Sequence, residues 1–237
     1  TLRKILEEKL PLDEWVSLED VWLEPPLPGT GYFGGGGPGA KSTMDKVTYS
    51  SDTTAAVPGA NLTVTRRYLA ATGNSTHGYF GGGSPGSLST IDKVTYASDT
   101  TAILPSGANL SAGRYQLAAT GNSTHGYFGG GTPFPGVSTM DKTTYSSDTT
   151  AAVPGANLTV ARSGLAATGN SDAGYFGGGN PTTSLMDKVT YASDTTAAVT
   201  GANLTAARSY LAATGNTAHG YFGGGAPGPL SLMDKIT

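Results

Sequence analysis

Gly31-Tyr32-Phe33-Gly34-Gly35-Gly36 is the stretch on which the reading of this chain turns, because GYFGGG returns at Gly78, Gly126, Gly174 and Gly220. Between copies the order never changes. A Pro/Gly-rich loop leads to Met44-Asp45-Lys46-Val47-Thr48-Tyr49, then to x-S-D-T-T-A-A, P-G-A-N-L and R-x-x-L-A-A-T-G-N. Self-similarity at a fixed period of this length sets the architecture before any local propensity is weighed.

Each period reads as three to four short antiparallel strands. Val47 and Tyr49 alternate with Lys46 and Thr48, which places the two pairs on opposite faces. Asp52-Thr53-Thr54 reads as an Asx-type turn, since aspartate bonds its own backbone two residues on. Leu69–Thr72 is a small-residue strand, and Gly73–Gly78 a hairpin into the next GYFGGG. Helical periodicity is missing from the body of the chain.

A repeat of this length fits a β-propeller blade, for which known units span about 40–50 residues. The expected fold is therefore all-β: a propeller of about five blades, each a four-stranded antiparallel sheet, over residues 31–237. The last repeat is incomplete. A β-helix is the competitor, with shorter rungs and fewer hairpins. Adjacent residues in a strand point to opposite faces, so Tyr32 and Phe33 are both expected to be buried between blades. The same expectation covers Tyr79 and Phe80, Tyr127 and Phe128, Tyr175 and Phe176, and Tyr221 and Phe222. Three ways of dealing with the open ends are foreseen: pairing of first and last blades, an edge strand from Glu19–Glu24, or a longer natural chain.

A double glycine after an aromatic strand, a Tyr-x-x-Asp strand end and a later arginine resemble the kelch motif. The matching residues are Gly35-Gly36, Tyr49, Asp52 and Arg66. They recur as Tyr96, Asp99 and Arg114, as Tyr145, Asp148 and Arg162, and as Tyr191, Asp194 and Arg208. Ala or Thr stands where kelch repeats carry tryptophan. The fuller consensus, GYFGGG…DKVTYxSDTTA…LAATGN, resembles a repeat of structural proteins of tailed bacteriophages, especially marine and cyanobacterial ones. The resemblance implies a virion protein of tail, fibre or capsid, present in multiple copies, that serves as a protein–protein interaction scaffold or in host attachment.

Residues 1–30 differ from this body. They hold every Glu and both tryptophans, whereas the body is nearly neutral and holds almost all of the 36 glycines. Leu6 and Leu10 fall on one helical face with Leu2 and Ile5 until Pro11 ends the pattern. Trp15, Val16, Trp22 and Leu23 follow in an extended stretch. Thirty residues cannot build a core of their own, and tryptophan favours the centres of interfaces. This segment is read as a short helical/extended docking element for other virion proteins.

Composition removes several function classes. With no cysteine there are no disulfides, thiolate metal sites or thiol nucleophiles. A net charge of −3 supplies no field for nucleic acid or an anionic membrane. The start is too charged for a secretory signal, and no apolar run is long enough to span a bilayer.

No catalytic constellation stands out. Gly34–Ser42 comes close to a phosphate loop, but its spacing is wrong and no helix follows. His77, His125 and His219 occupy a polar hairpin position. The repeated aspartates and arginines are the same in every repeat, whereas a catalytic site needs unlike groups in one place. The chain is read as a non-enzyme without a cofactor, structural calcium in the aspartate loops being the remaining option. Each arginine is expected to bridge an aspartate or backbone carbonyls between blades. The variable loops Gly37–Ser42, Ser84–Ser89, Thr132–Ser138, Asn180–Ser184 and Ala226–Ser231 follow the same strand, so they should share one rim. A host-surface protein or glycan would bind there, and a lectin-like propeller is the second reading.

Overall fold

The computed structural model describes residues 29–237 with the exception of residue 229. The segment read as a docking element, including Leu6, Leu10, Trp15, Val16, Trp22 and Leu23 and the suggested edge strand Glu19–Glu24, lies outside the described residues.

Five antiparallel sheets form the blades of a β-propeller, and their strands follow the chain order without crossovers. Blade 1 comprises β1 (Thr30–Gly34), β2 (Met44–Thr48) and β3 (Thr53–Ala56). Blade 2 comprises β4 (Ala70–Gly73), β5 (His77–Gly81), β6 (Ile91–Thr95) and β7 (Thr100–Ile103). Blade 3 repeats this as β8 (Ala118–Gly121), β9 (His125–Gly129), β10 (Met140–Thr144) and β11 (Thr149–Ala152). Blade 4 consists of β12 (Ala166–Gly169), β13 (Ala173–Gly177), β14 (Met186–Thr190) and β15 (Thr195–Ala198). Blade 5 has β16 (Ala212–Gly215), β17 (Gly220–Gly223) and β18 (Met233–Ile236).

Three blades are thus four-stranded and the two end blades three-stranded, blade 1 without an inner strand and blade 5 without an outer one among the described residues. The LAATG segments are the inner strands: β4 lies against β8, β8 against β12 and β12 against β16. Small side chains suit this position because backbones converge there.

The core is a stack of layers between blades. Met44, Phe80 and Val94 form one layer, and Ile91, Leu117, Phe128 and Tyr145 the next. Met140, Leu165, Phe176 and Tyr191 make the third, and Met186, Leu211 and Phe222 the fourth. The phenylalanines of the second to fifth GYFGGG copies reach back to the preceding blade, where a glycine receives each ring. A Cβ on Gly129 would stand 2.9 Å from the Phe176 ring and 2.8 Å from Met140 Cε. The next glycine, Gly130, has φ +69°, and a Cβ there would meet the Arg162 carbonyl at 2.7 Å. Both positions therefore demand glycine, one for close approach and one for conformation.

The expectation that both rings of each pair are buried holds in blades 2 and 3; Tyr175 and Tyr221 are half-buried, and blade 1 departs from it furthest. Phe80, Phe128, Phe176 and Phe222 are buried, but Phe33 is 65% exposed. Its physical reason is position: among the described residues no blade lies where it could receive the ring.

Candidate functional site

The repeated tyrosines, lysines and aspartates form clasps between consecutive blades. Tyr79 stacks on Tyr145 of the following blade with ring centroids 4.7 Å apart. Its hydroxyl donates to Asp148 at 2.7 Å, and Lys93 reaches the same carboxylate at 2.7 Å. Tyr127 repeats this with Tyr191 and Asp194, joined by Lys142 at 2.8 Å. Tyr32 does so with Tyr96 and Asp99, joined by Lys46. The turn aspartates adopt left-handed backbone, from φ +52° at Asp52 to +50° at Asp194, a conformation that aspartate tolerates better than most residues. Asp99, Asp148 and Asp194 are therefore turn residues and cross-blade acceptors together. In blade 1 the corresponding Tyr49 is 57% exposed.

A second aspartate series lies inside the blades. Arg66, Arg114, Arg162 and Arg208 leave the crossover from one blade and enter the next, fully buried or nearly so. Arg66 binds Asp92 at 2.9 Å and the carbonyls of Gly82 and Thr90 at 3.0 Å each. Arg114 binds Asp141 at 2.6 Å, Arg162 binds Asp187 at 2.9 Å, and Arg208 pairs with Asp234. In blade 1 the equivalent Asp45 is exposed.

These environments set the ionisation. Burial would raise the Asp148 and Asp194 carboxyls, but the bonds from lysine and tyrosine outweigh it and hold both below the usual range. Burial pushes Tyr96 and Tyr191 up to about 12. A depressed carboxyl stabilises the fold above its ordinary pKa of 3.8 and loses that contribution as pH falls through the lower native value. A raised phenol stabilises below its ordinary value of 10.0 and loses that contribution as pH climbs past it. Burial also lowers the His77 and His125 imidazoles below their ordinary 6.5, so stability declines as pH falls below that value. The melting temperature should therefore be level from about 6.5 to 10 and fall on both sides, in the histidine range first and then below 3.8. A slope between pH 7 and 9 would show that other groups govern stability.

The nearly identical repeats differ where they meet the axis. Between the constant arginine and leucine of R-x-x-L stand Arg67-Tyr68, Tyr115-Gln116, Ser163-Gly164 and Ser209-Tyr210. The second residue of each pair is left-handed, with φ of +56° at Tyr68, +57° at Gln116, +60° at Gly164 and +54° at Tyr210. Such a backbone costs a tyrosine about 1 kcal/mol or more and persists where surroundings over-determine it. Here a run of hydrogen bonds does so: Gln116 N–H donates to Tyr68 O at 2.8 Å, Gly164 to Gln116 O at 2.8 Å and Tyr210 to Gly164 O at 2.7 Å.

The result is an open axial cavity of about 240 Å³ lined by Tyr68, Gln116, Gly164, Tyr210 and four leucines. Tyr68 and Tyr210 are about half exposed. The Gln116 amide donates to the Tyr210 hydroxyl at 3.3 Å, and the Arg67 guanidinium lies 5.3 Å from the Tyr68 ring centroid.

The variable loops lie at the same end. β5 runs antiparallel to β4, so the loop after β5 returns beside the residues that precede β4. The loops touch those residues directly, through the bridges Arg67 to Ser84, Ser163 to Asn180 and Ser209 to Ala226. Aromatic faces, an amide and a guanidinium can stack on and hydrogen-bond a ligand. No carboxylate or imidazole lines this cavity.

The R-x-x-L pairs are absent from the expected site. Their signal was in the sequence, as pairs that differ in all four repeats between a constant arginine and a constant leucine, but a period-by-period consensus averages it away. The histidines sit in hairpins at the opposite end, where Thr76 bonds His77 Nδ1 at 2.8 Å and Thr124 bonds His125 at 2.8 Å. No group of three metal-ligating side chains occurs among the described residues. No family model matches the chain, and no curated protein is similar to it.

Proposed function

We propose that the protein is a non-enzymatic structural component of a tailed-phage particle and presents the loop end of its propeller to a partner. The observation that carries this reading is the partition of variation. The inter-blade apparatus repeats almost unchanged, while the loops and the R-x-x-L pairs at one end differ from blade to blade. Invariant packing with variable side chains on one face is how a scaffold displays a binding surface. The phage assignment rests on the resemblance of the repeat consensus. Residues 1–30 then attach the protein to other virion proteins, in multiple copies per particle. Deleting residues 1–30 should remove the protein from particles while leaving a folded β domain, as read by particle composition and circular dichroism. Normal incorporation of the deletion would refute the attachment role.

Tyr68 and Tyr210, half exposed at one opening, favour a second reading, carbohydrate recognition at the host surface. Stacking on tyrosine faces suits sugar rings as it suits other planar or apolar ligand faces. Glycan-array binding that is lost in Y68A/Y210A would support it, and an array without signal would count against it.

A further inference from the structure

Tyr68 and Tyr210 are half exposed at the axis, yet both are held in place. A Cβ on Gly164 would stand 2.9 Å from Tyr210 Cε1, so the bare backbone there lets the Tyr210 ring lie across blade 4. Its hydroxyl then meets the Gln116 amide of blade 3 at 3.3 Å, and its own N–H is anchored on the Gly164 carbonyl at 2.7 Å. Tyr68 is fixed from the other side. Its carbonyl accepts the Gln116 N–H at 2.8 Å, and its ring leans on Tyr115 with centroids 6.3 Å apart. Two restrained aromatic faces lose little freedom when a ligand stacks on them.

Hydrogen-bonding capacity is left over between these faces. Gln116 spends one amide N–H on the Tyr210 hydroxyl and keeps a second N–H and its carbonyl oxygen without partners among the described residues. The Tyr210 hydroxyl, accepting there, retains its own proton to donate. Donor and acceptor side by side, flanked by aromatic rings, suit a ligand ring with neighbouring hydroxyls on its edge and C–H groups on its faces. The space is small. About 240 Å³ lies under the roughly 300–1,000 Å³ of pockets for drug-sized ligands. Four leucines, each one residue further along the chain than the axial pair, line the deeper part. Beyond them β4 lies against β8, β8 against β12 and β12 against β16.

We propose, on the carbohydrate reading above, that this cavity takes a single terminal sugar ring of a glycan. The ring enters end-on along the propeller axis, lies between Tyr68 and Tyr210, and is read by Gln116 through two neighbouring hydroxyls. An interior stretch of polysaccharide must both enter and leave its site, and the leucines and inner strands close the deep side of this one. There is one site per chain, because each repeat supplies a different part. Gln116 gives the amide and Gly164 the gap that the Tyr210 ring fills, and neither residue recurs at that position in another repeat.

The whole 237-residue chain is screened on an array that displays each of several terminal sugars on short and on long cores. The strongest binder is then titrated calorimetrically, both as the intact oligosaccharide and as the methyl glycoside of its terminal residue. Array signal should sort by terminal residue and not by length. The methyl glycoside should bind nearly as tightly as the oligosaccharide, with one bound per chain. Gln116→Leu should weaken binding about tenfold, the effect of losing one or two hydrogen bonds, with the circular dichroism unchanged. Tyr68→Ala, a second variant in a different blade, should weaken it to a similar degree. Affinity that grows with internal residues, several glycans bound per chain, or unchanged binding in both variants would overturn the end-on site and leave carbohydrate recognition standing. An array without any signal would overturn both.

Discussion

Replacing Arg162 with methionine should destabilise the protein by about 3–5 kcal/mol, the usual cost of breaking a buried ion pair by removing one partner. Arg162 and Asp187 are both 0% exposed and 2.9 Å apart. The guanidinium also donates to the Phe176 carbonyl at 3.0 Å, so its loss leaves a carbonyl short of a donor as well. Asp187 keeps the Thr159 hydroxyl at 2.6 Å, but its charge is then uncompensated in a site without water access. Urea unfolding of R162M measures the loss. Adding D187L should return most of it, because a buried pair exchanged for apolar side chains of similar volume is often neutral. A single variant within about 1 kcal/mol of wild type would mean that the pair carries little of the stability.

Phe176→Ala should cost about 3–5 kcal/mol, in the range for truncating a fully buried phenylalanine. The ring is 0% exposed and fills the layer between blades 3 and 4 with Met140, Leu165 and Tyr191. Alanine cannot fill that space, and Gly129 and Met140 would face a cavity. The same substitution at Phe33 provides the control, since this ring is 65% exposed and should cost about 0.5 kcal/mol or less. The repeat position is identical and only the neighbour differs. Equal losses at the two sites would show that the phenylalanine acts within its own blade.

The period, the strand order and the blade fold were legible in the sequence, because GYFGGG and DKVTY repeat with turn signals between them. The arginine bridges were legible too, since a guanidinium that recurs beside a strand aspartate has few other uses. The partner assignments were not. Tyr32 reaches Asp99, which is 67 residues away, yet Asp52 offers the same side chain far nearer in sequence. A repeat read in isolation cannot tell its own aspartate from its neighbour's; only the three-dimensional stagger of the blades does. Phe33 shows the same limit, because its pattern matches Phe80 and its exposure depends on what precedes blade 1. The axial tyrosines escaped notice because they stand in left-handed backbone, which their residue type does not announce.

The arginine–aspartate pairs join only adjacent blades and are nearly the same at all four joints, and the Tyr–Lys–Asp clasps repeat at the three joints from blade 1 to blade 4. Complementarity therefore does not say which blade follows which, since the Tyr79 and Lys93 face would accept the Asp194 turn as readily as the Asp148 turn. Order is imposed by connectivity, through crossovers that reach only the next blade. For the folding chain this means that wrong neighbours compete on nearly equal terms until the covalent path excludes them, the hazard familiar from repeat proteins with closely similar units.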